Sequence, residues 1–116
     1  MFALKLARAA DYKVILSSSS DKKLKDIVER FPGATPILTV NYATNPNWDE
    51  DVLNLTNGVG IDVVLENGGP QTLVKSLRCT RRGGTVSQVG YLSNKEGWSE
   101  LPELIPTLID RRVNLR

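Results

Sequence analysis

The chain has no histidine and a single cysteine, Cys79, among its 116 residues. The first absence removes imidazole acid–base chemistry and histidine-containing metal sites. The second rules out an internal disulfide framework, and one thiol cannot build a structural zinc site, so no metal ligand is assigned in this chain. Such cysteine usage points to a reducing, cytoplasmic setting. No apolar run approaches the ~18 residues of a membrane span. The opening stretch MFALKLARAADYK is broken by Lys5 and Arg8 and reads poorly as a secretory signal. Without such a signal, the sequon Asn54-Leu55-Thr56 carries no weight. Net charge is only +2, which supplies no electrostatic drive toward nucleic acid or an anionic bilayer.

What is present is an ordinary globular composition, 41% hydrophobic and 24% charged, in a length that suits one small domain. Hydrophobic periodicity alternates between helical and strand spacing. Residues 2–11 read as a short amphipathic helix with Phe2, Leu6 and Ala9 or Ala10 on one side, and nothing precedes it to cap its free N–H groups. Residues 13–17 read as a strand, and Ser20 as the N-cap of a helix whose stripe is Leu24, Ile27, Val28 and Phe31, stopped by Pro32-Gly33. A second strand follows at 37–42. Asn47 is placed to cap the next helix, with Glu50 set to complete a capping box, before the apolar Trp48, Val52, Leu53 and Leu55, and Asn57-Gly58 ends that helix.

The run 61–65, IDVVL, suits a strand buried on both faces of a parallel sheet. Gly68-Gly69 turns the chain and Pro70 opens a helix with the stripe Leu73, Val74 and Leu77, ended by Gly83-Gly84. A strand at 85–91 leads to a helical stripe of Leu101, Leu104, Ile105, Leu108 and Ile109, which Pro106 bends or shortens, and residues 113–116 begin another strand. Strands alternating with helices predict parallel pairing through right-handed crossovers, an α/β doubly wound sheet.

The stretches VILSSSSDKKL, VNYAT, LTNGVGIDVVLENGG and LRCTRRGGTVSQVGYLS occur in that order. Together they resemble the cofactor-binding domain of medium-chain dehydrogenase/reductases, nearest to zinc-free quinone-oxidoreductase-like and fungal alcohol-dehydrogenase-like members. The likeness runs over essentially the whole chain. It implies a Rossmann-type sheet in the order 3-2-1-4-5-6, opened by a strand and a glycine-rich G-x-G-x-x-G turn. This sequence has neither, nor the family's catalytic domain, nor most of a last strand. The expectation is a partial NAD(P)-binding Rossmann domain over 1–116. Without the central first strand, the strands at 13–17 and 61–65 each lose a ladder partner.

The resemblance also implies a site. In dinucleotide-binding folds an acidic residue after the second strand holds the adenosine ribose. Here the family's spacing puts Ser18 at that position. Ser18, Ser19 and Ser20 with Lys23, and by family likeness Tyr42, form a cup suited to the 2′-phosphate of NADP in preference to NAD. Lys22 adds a weaker contribution and Asp21 opposes it or favours the helix start. The plainer reading is a polar loop, a cap and a solvated lysine face.

By the same likeness Asn67 and Gly68, and Gly90, Tyr91 and Leu92, border the nicotinamide; ordinary turn chemistry is the alternative for the glycines. Glu66 is expected to be structural or solvated, and Cys79 a packing residue despite Arg78, Arg81 and Arg82. The pairs Arg81-Arg82 and Arg111-Arg112 are expected at helix ends, and Trp48 and Trp98 in packing or partly exposed positions. No residue is assigned as catalytic. The implied chemistry is hydride transfer between a nicotinamide and a carbonyl, an alcohol or a quinone-like activated alkene, with this chain inactive alone. Two other readings stay open: a nucleotide-binding module without turnover, and a dimerisation module pairing two copies through the final strand.

Overall fold

The computed structural model describes residues 2–90 and 102–116. They form two compact units, Met1–Trp48 and Asp49–Arg116.

The first unit contains α1 (Phe2–Ala9), β1 (Ile15–Ser18), α2 (Asp21–Arg30) and β2 (Leu38–Asn41). β1 and β2 pair in parallel from Ile15↔Leu38 to Ser18↔Asn41. Ser20 caps α2 as its residue type predicts, with extended backbone and its hydroxyl oxygen accepting the Lys23 N–H. Leu24 then carries the helix's buried face. α1 departs from expectation: Leu4 is its buried residue, while Phe2 and Leu6 stand 76% and 56% exposed. Leu4 shares a face with Arg8 at i, i+4. Arg8 Nη1 donates to the Thr35 carbonyl at 2.6 Å. That anchor selects the face turned inward.

The second unit takes in most of α3 (Trp48–Leu55), then β3 (Ile61–Glu66), α4 (Pro70–Arg78), β4 (Thr80–Gln88), α5 (Leu104–Arg111) and β5 (Asn114–Leu115). Its sheet is fully parallel in the order β3-β4-β5. Leu77, Val86 and Val113 make a buried cluster packed by Val64, Leu73, Leu104 and Leu108. Each such side chain contributes roughly 1.5–3 kcal/mol by leaving water. β3 is not buried on both faces as predicted: Val63 and Leu65 are 62% and 51% exposed. α4 and α5 cover one face only, the one carrying Val64 and Val86.

Pro70 sits in the first turn of α4 as expected. Asn57 and Gly58 end α3 with positive φ, 56° and 80°. α4, however, stops at Arg78 rather than at Gly83-Gly84. Those glycines lie inside β4, where the register jumps from Ile61↔Thr80 to Val63↔Thr85. Residues 81–84 are therefore a bulge. A Cβ on Gly84 would sit 3.0 Å from both the Asp62 and Arg81 carbonyl oxygens, so only glycine lets the strand rejoin its ladder. Arg81 and Arg82 consequently lie in a strand, not at a helix end, and Arg81 pairs with Asp62. Arg111 does end α5, and Arg112 caps it in left-handed conformation. Pro106 falls in the first turn of α5, where its missing N–H has no helical partner to lose, so the helix is shortened.

The described strands thus fall into β1-β2 and β3-β4-β5. Within their sheets β1 pairs only with β2 and β3 only with β4, the two strands predicted to lose a partner. Among the described residues no helix is long and apolar enough to cross a membrane.

Candidate functional site

The cup after β1 is shaped by two short-range hydrogen bonds. Ser18 Oγ accepts the Ser20 N–H at 3.2 Å, and Ser20 Oγ accepts the Lys23 N–H at 3.3 Å. Both bonds use oxygen lone pairs. Among the described residues nothing accepts the hydroxyl protons of Ser18, Ser19 or Ser20. Ser19 and Lys23 are exposed; Ser18, Ser20 and Tyr42 are half-buried. The Tyr42 N–H donates to the Ser18 carbonyl at 3.2 Å, which ties the residue after β2 to the end of β1. The Lys22 and Lys23 ammonium groups have no ion-pair partner among the described residues. The free N–H groups of α2's first turn add partial positive charge.

Asn41, which sequence reasoning passed over, organises the other side. Its Nδ2 donates to Asp21 Oδ1 at 2.9 Å, and its Oδ1 accepts the Ala43 and Thr44 N–H groups at 2.9 and 3.1 Å. The carboxylate that opposed phosphate binding is therefore engaged by an amide. An asparagine followed by a turn in NYAT was the available signal.

The second cluster lies where β3 and β4 end in register, Glu66 opposite Gln88. The Val89 and Gly90 N–H groups both donate to the Glu66 carbonyl, at 2.9 and 3.3 Å. This brings Gly90 against Asn67: a Cβ on Gly90 would sit 3.0 Å from Asn67 Oδ1. Gln88 Nε2 donates to the Gly90 carbonyl and braces the second turn. Asn67 is exposed, and Gly68 and Gly90 are half-buried. Tyr91, Leu92 and Trp98 lie outside the described residues. Glu66 is structural rather than solvated, only 4% exposed. Its partners Thr72 and Ser76 were missed, although two hydroxyls at i, i+4 on one helix face after a strand-end carboxylate were legible.

Cys79 is a packing residue, 2% exposed, with its thiol donating to the Ser76 carbonyl at 3.3 Å. Burial, reinforced by the Asp49 charge, pushes its pKa from 9.0 up to about 12. It stays protonated near neutrality, as a buried packing thiol does. Among the described residues no three His, Cys, Asp or Glu side chains gather where they could hold a metal ion. The described residues thus supply no zinc ligand set.

The profile of the zinc-binding dehydrogenase family matches residues 1–115. A zinc-type alcohol dehydrogenase-like protein of Schizosaccharomyces pombe is 37% identical over 115 residues, which is 99% of this chain and 32% of that protein. An NADP-dependent isopropanol dehydrogenase of Clostridium beijerinckii is 40% identical over 63 residues, 53% of this chain and 17% of its own length. The crystal structure of an NAD-dependent alcohol dehydrogenase superposes with a TM-score of 0.79 at 28% identity, covering 97% of this chain and 30% of that one. The chain spans about a third of the length of the first of these relatives and less of the second.

Proposed function

This chain belongs to the zinc-binding dehydrogenase family, within the medium-chain dehydrogenase/reductases, and on that premise we propose that residues 1–116 are the cofactor-binding part of an NADP-preferring oxidoreductase. The reaction is hydride transfer to or from a carbonyl, an alcohol or a quinone-like activated alkene. The nicotinamide supplies the hydride chemistry when bound, and the protein's part is to bind and orient it. Ser18, Ser19 and Ser20 donate to the 2′-phosphate, Lys23 neutralises it, and Tyr42 flanks it. Asn67, Gly68 and Gly90, together with Tyr91 and Leu92, border the nicotinamide. No catalytic residue and no zinc ligand is assigned to this chain, and turnover by it alone is not expected. Pairing of two copies along the open edge of β5 and a cytoplasmic location belong to the same reading.

One observation carries the preference for NADP. At the end of β1, where NAD-binding folds place a carboxylate, stands Ser18, and three hydroxyl protons there have no acceptor among the described residues. The names of the relatives divide, one NADP-dependent and one NAD-dependent, so the cup must decide. The test is a thermal melt of the chain alone, with NADPH and with NADH. At a hundredfold excess over Kd a ligand adds about 2.7 kcal/mol to the folded state. NADPH is expected to raise the midpoint well above the shift given by NADH. An equal or larger shift with NADH overturns the preference; no shift with either overturns the cofactor reading.

A further inference from the structure

We propose that Glu66 is the positioning residue for the nicotinamide half of the site, holding both bordering turns in one fixed relation. The inference rests on the cofactor reading above.

Glu66 ends β3 and is almost fully buried, 4% exposed. A buried carboxylate is costly unless its lone pairs are satisfied. Here Oε1 accepts the Gly68 N–H at 2.7 Å, the Gly69 N–H at 3.3 Å and the Thr72 hydroxyl at 2.6 Å, while Oε2 accepts the Ser76 hydroxyl. No ion pair among the described residues reaches it. The carboxylate is held by two backbone N–H groups where α4 begins and by the hydroxyls of Thr72 and Ser76 one turn apart on α4.

The direction of these bonds separates positioning from packing. The side chain closes the 67–69 turn onto α4. The main-chain carbonyl of the same residue accepts the Val89 and Gly90 N–H groups, at 2.9 and 3.3 Å. One residue thus joins the turn after β3 to the turn after β4, and Gln88 stiffens the second from its far side. A Cβ on Gly68 would sit 3.0 Å from Glu66 Oε1, so the turn closes tightly over the carboxylate. Without the carboxylate, residues 67–69 lose their two bonds to it, and Asn67 is free to shift against Gly90. None of these bonds involves the serine cup, so Glu66→Ala is expected to leave the cup unchanged.

The test uses one probe for each half on the intact chain: reduced nicotinamide mononucleotide for the turns and adenosine 2′,5′-bisphosphate for the cup, each titrated by NMR. Glu66→Ala is expected to weaken the mononucleotide about tenfold or more, the effect of one or two lost hydrogen bonds, and to leave the bisphosphate unchanged. Glu66→Gln keeps Oε1 and turns its amide to the Ser76 hydroxyl, so binding of the mononucleotide returns to within about twofold of wild type. Thr72→Val removes one bond and is expected to weaken the mononucleotide about threefold.

A Glu66→Ala chain that melts lower yet binds the mononucleotide like wild type, at a temperature where both are folded, overturns the inference. If Glu66→Ala does not fold, unchanged mononucleotide affinity in Thr72→Val overturns it instead. Wild type binding the bisphosphate but not the mononucleotide removes this inference and leaves the NADP cup standing. Wild type binding neither removes the proposed function as well.

Discussion

Ser18→Asp tests the cup with a charge. Ser18 Oγ holds the Ser20 N–H at 3.2 Å, and an aspartate oxygen takes the same bond as an Asx turn, so the local fold persists. A phosphate hydrogen-bonded to the serine cup would place its charge roughly 4 Å from that carboxylate. Two unit charges at that distance repel by about 1 kcal/mol in water and about 4 kcal/mol at an effective dielectric of 20. A half-buried residue falls toward the lower end, and the phosphate carries about 1.5 to 2 charges. The penalty on NADPH is then about 2–3 kcal/mol, a loss of about 30- to 150-fold. For NADH the carboxylate gains ribose hydroxyl donors, about 1 kcal/mol or fivefold tighter binding. The NADPH-to-NADH preference should therefore fall by at least about two orders of magnitude. Equilibrium titration of both dinucleotides at 0.15 M salt reads it, since the screening length of about 8 Å exceeds the separation. A ratio unchanged within about twofold, in a variant that melts like wild type, refutes the assignment of the cup and the electrostatic reasoning behind it.

Two further outcomes follow from the second unit. The buried thiol of Cys79 titrates near about 12 when folded against 9.0 as its ordinary value. The unfolded chain releases that proton first, so stability falls as pH rises from 9 toward 12, by up to about 1.4 kcal/mol per unit. Cys79→Ala should lose this component of the alkaline decline, and melts of both chains across that range showing the same slope would refute it. Leu77 is fully buried, so Leu77→Ala should cost about 3 kcal/mol. Urea denaturation measures it, and a loss under about 1 kcal/mol would contradict the packing of α4 on β4.

The sequence was legible where one residue and its near neighbours settle the structure. Ser20 caps α2 because its hydroxyl reaches an N–H three residues on. Pro70 opens α4 because its ring angle suits a first helical turn. Gly83-Gly84 was misread as a helix stop because a glycine pair serves equally in a bulge, and the choice depends on how β4 meets β3. α1 was misread because Arg8 finds the Thr35 carbonyl 27 residues away, and that bond turns Leu4 inward. In the cup, the serines were visible and the Asn41–Asp21 pairing across 20 residues was not.

The sequence by itself determined the alternation of strands and helices, the Ser20 cap, the Pro70 helix start, the absence of histidine and of an internal disulfide, and the family. These rest on local periodicity, on residue types, and on motifs whose order needs no coordinates. Only the tertiary structure decided that Glu66 is buried and bonded to two turns, that the Cys79 thiol is buried, and that one face of β3 is open. Each of those depends on which distant groups surround a side chain, and burial and hydrogen-bond partners across the chain are not written in any single stretch of it.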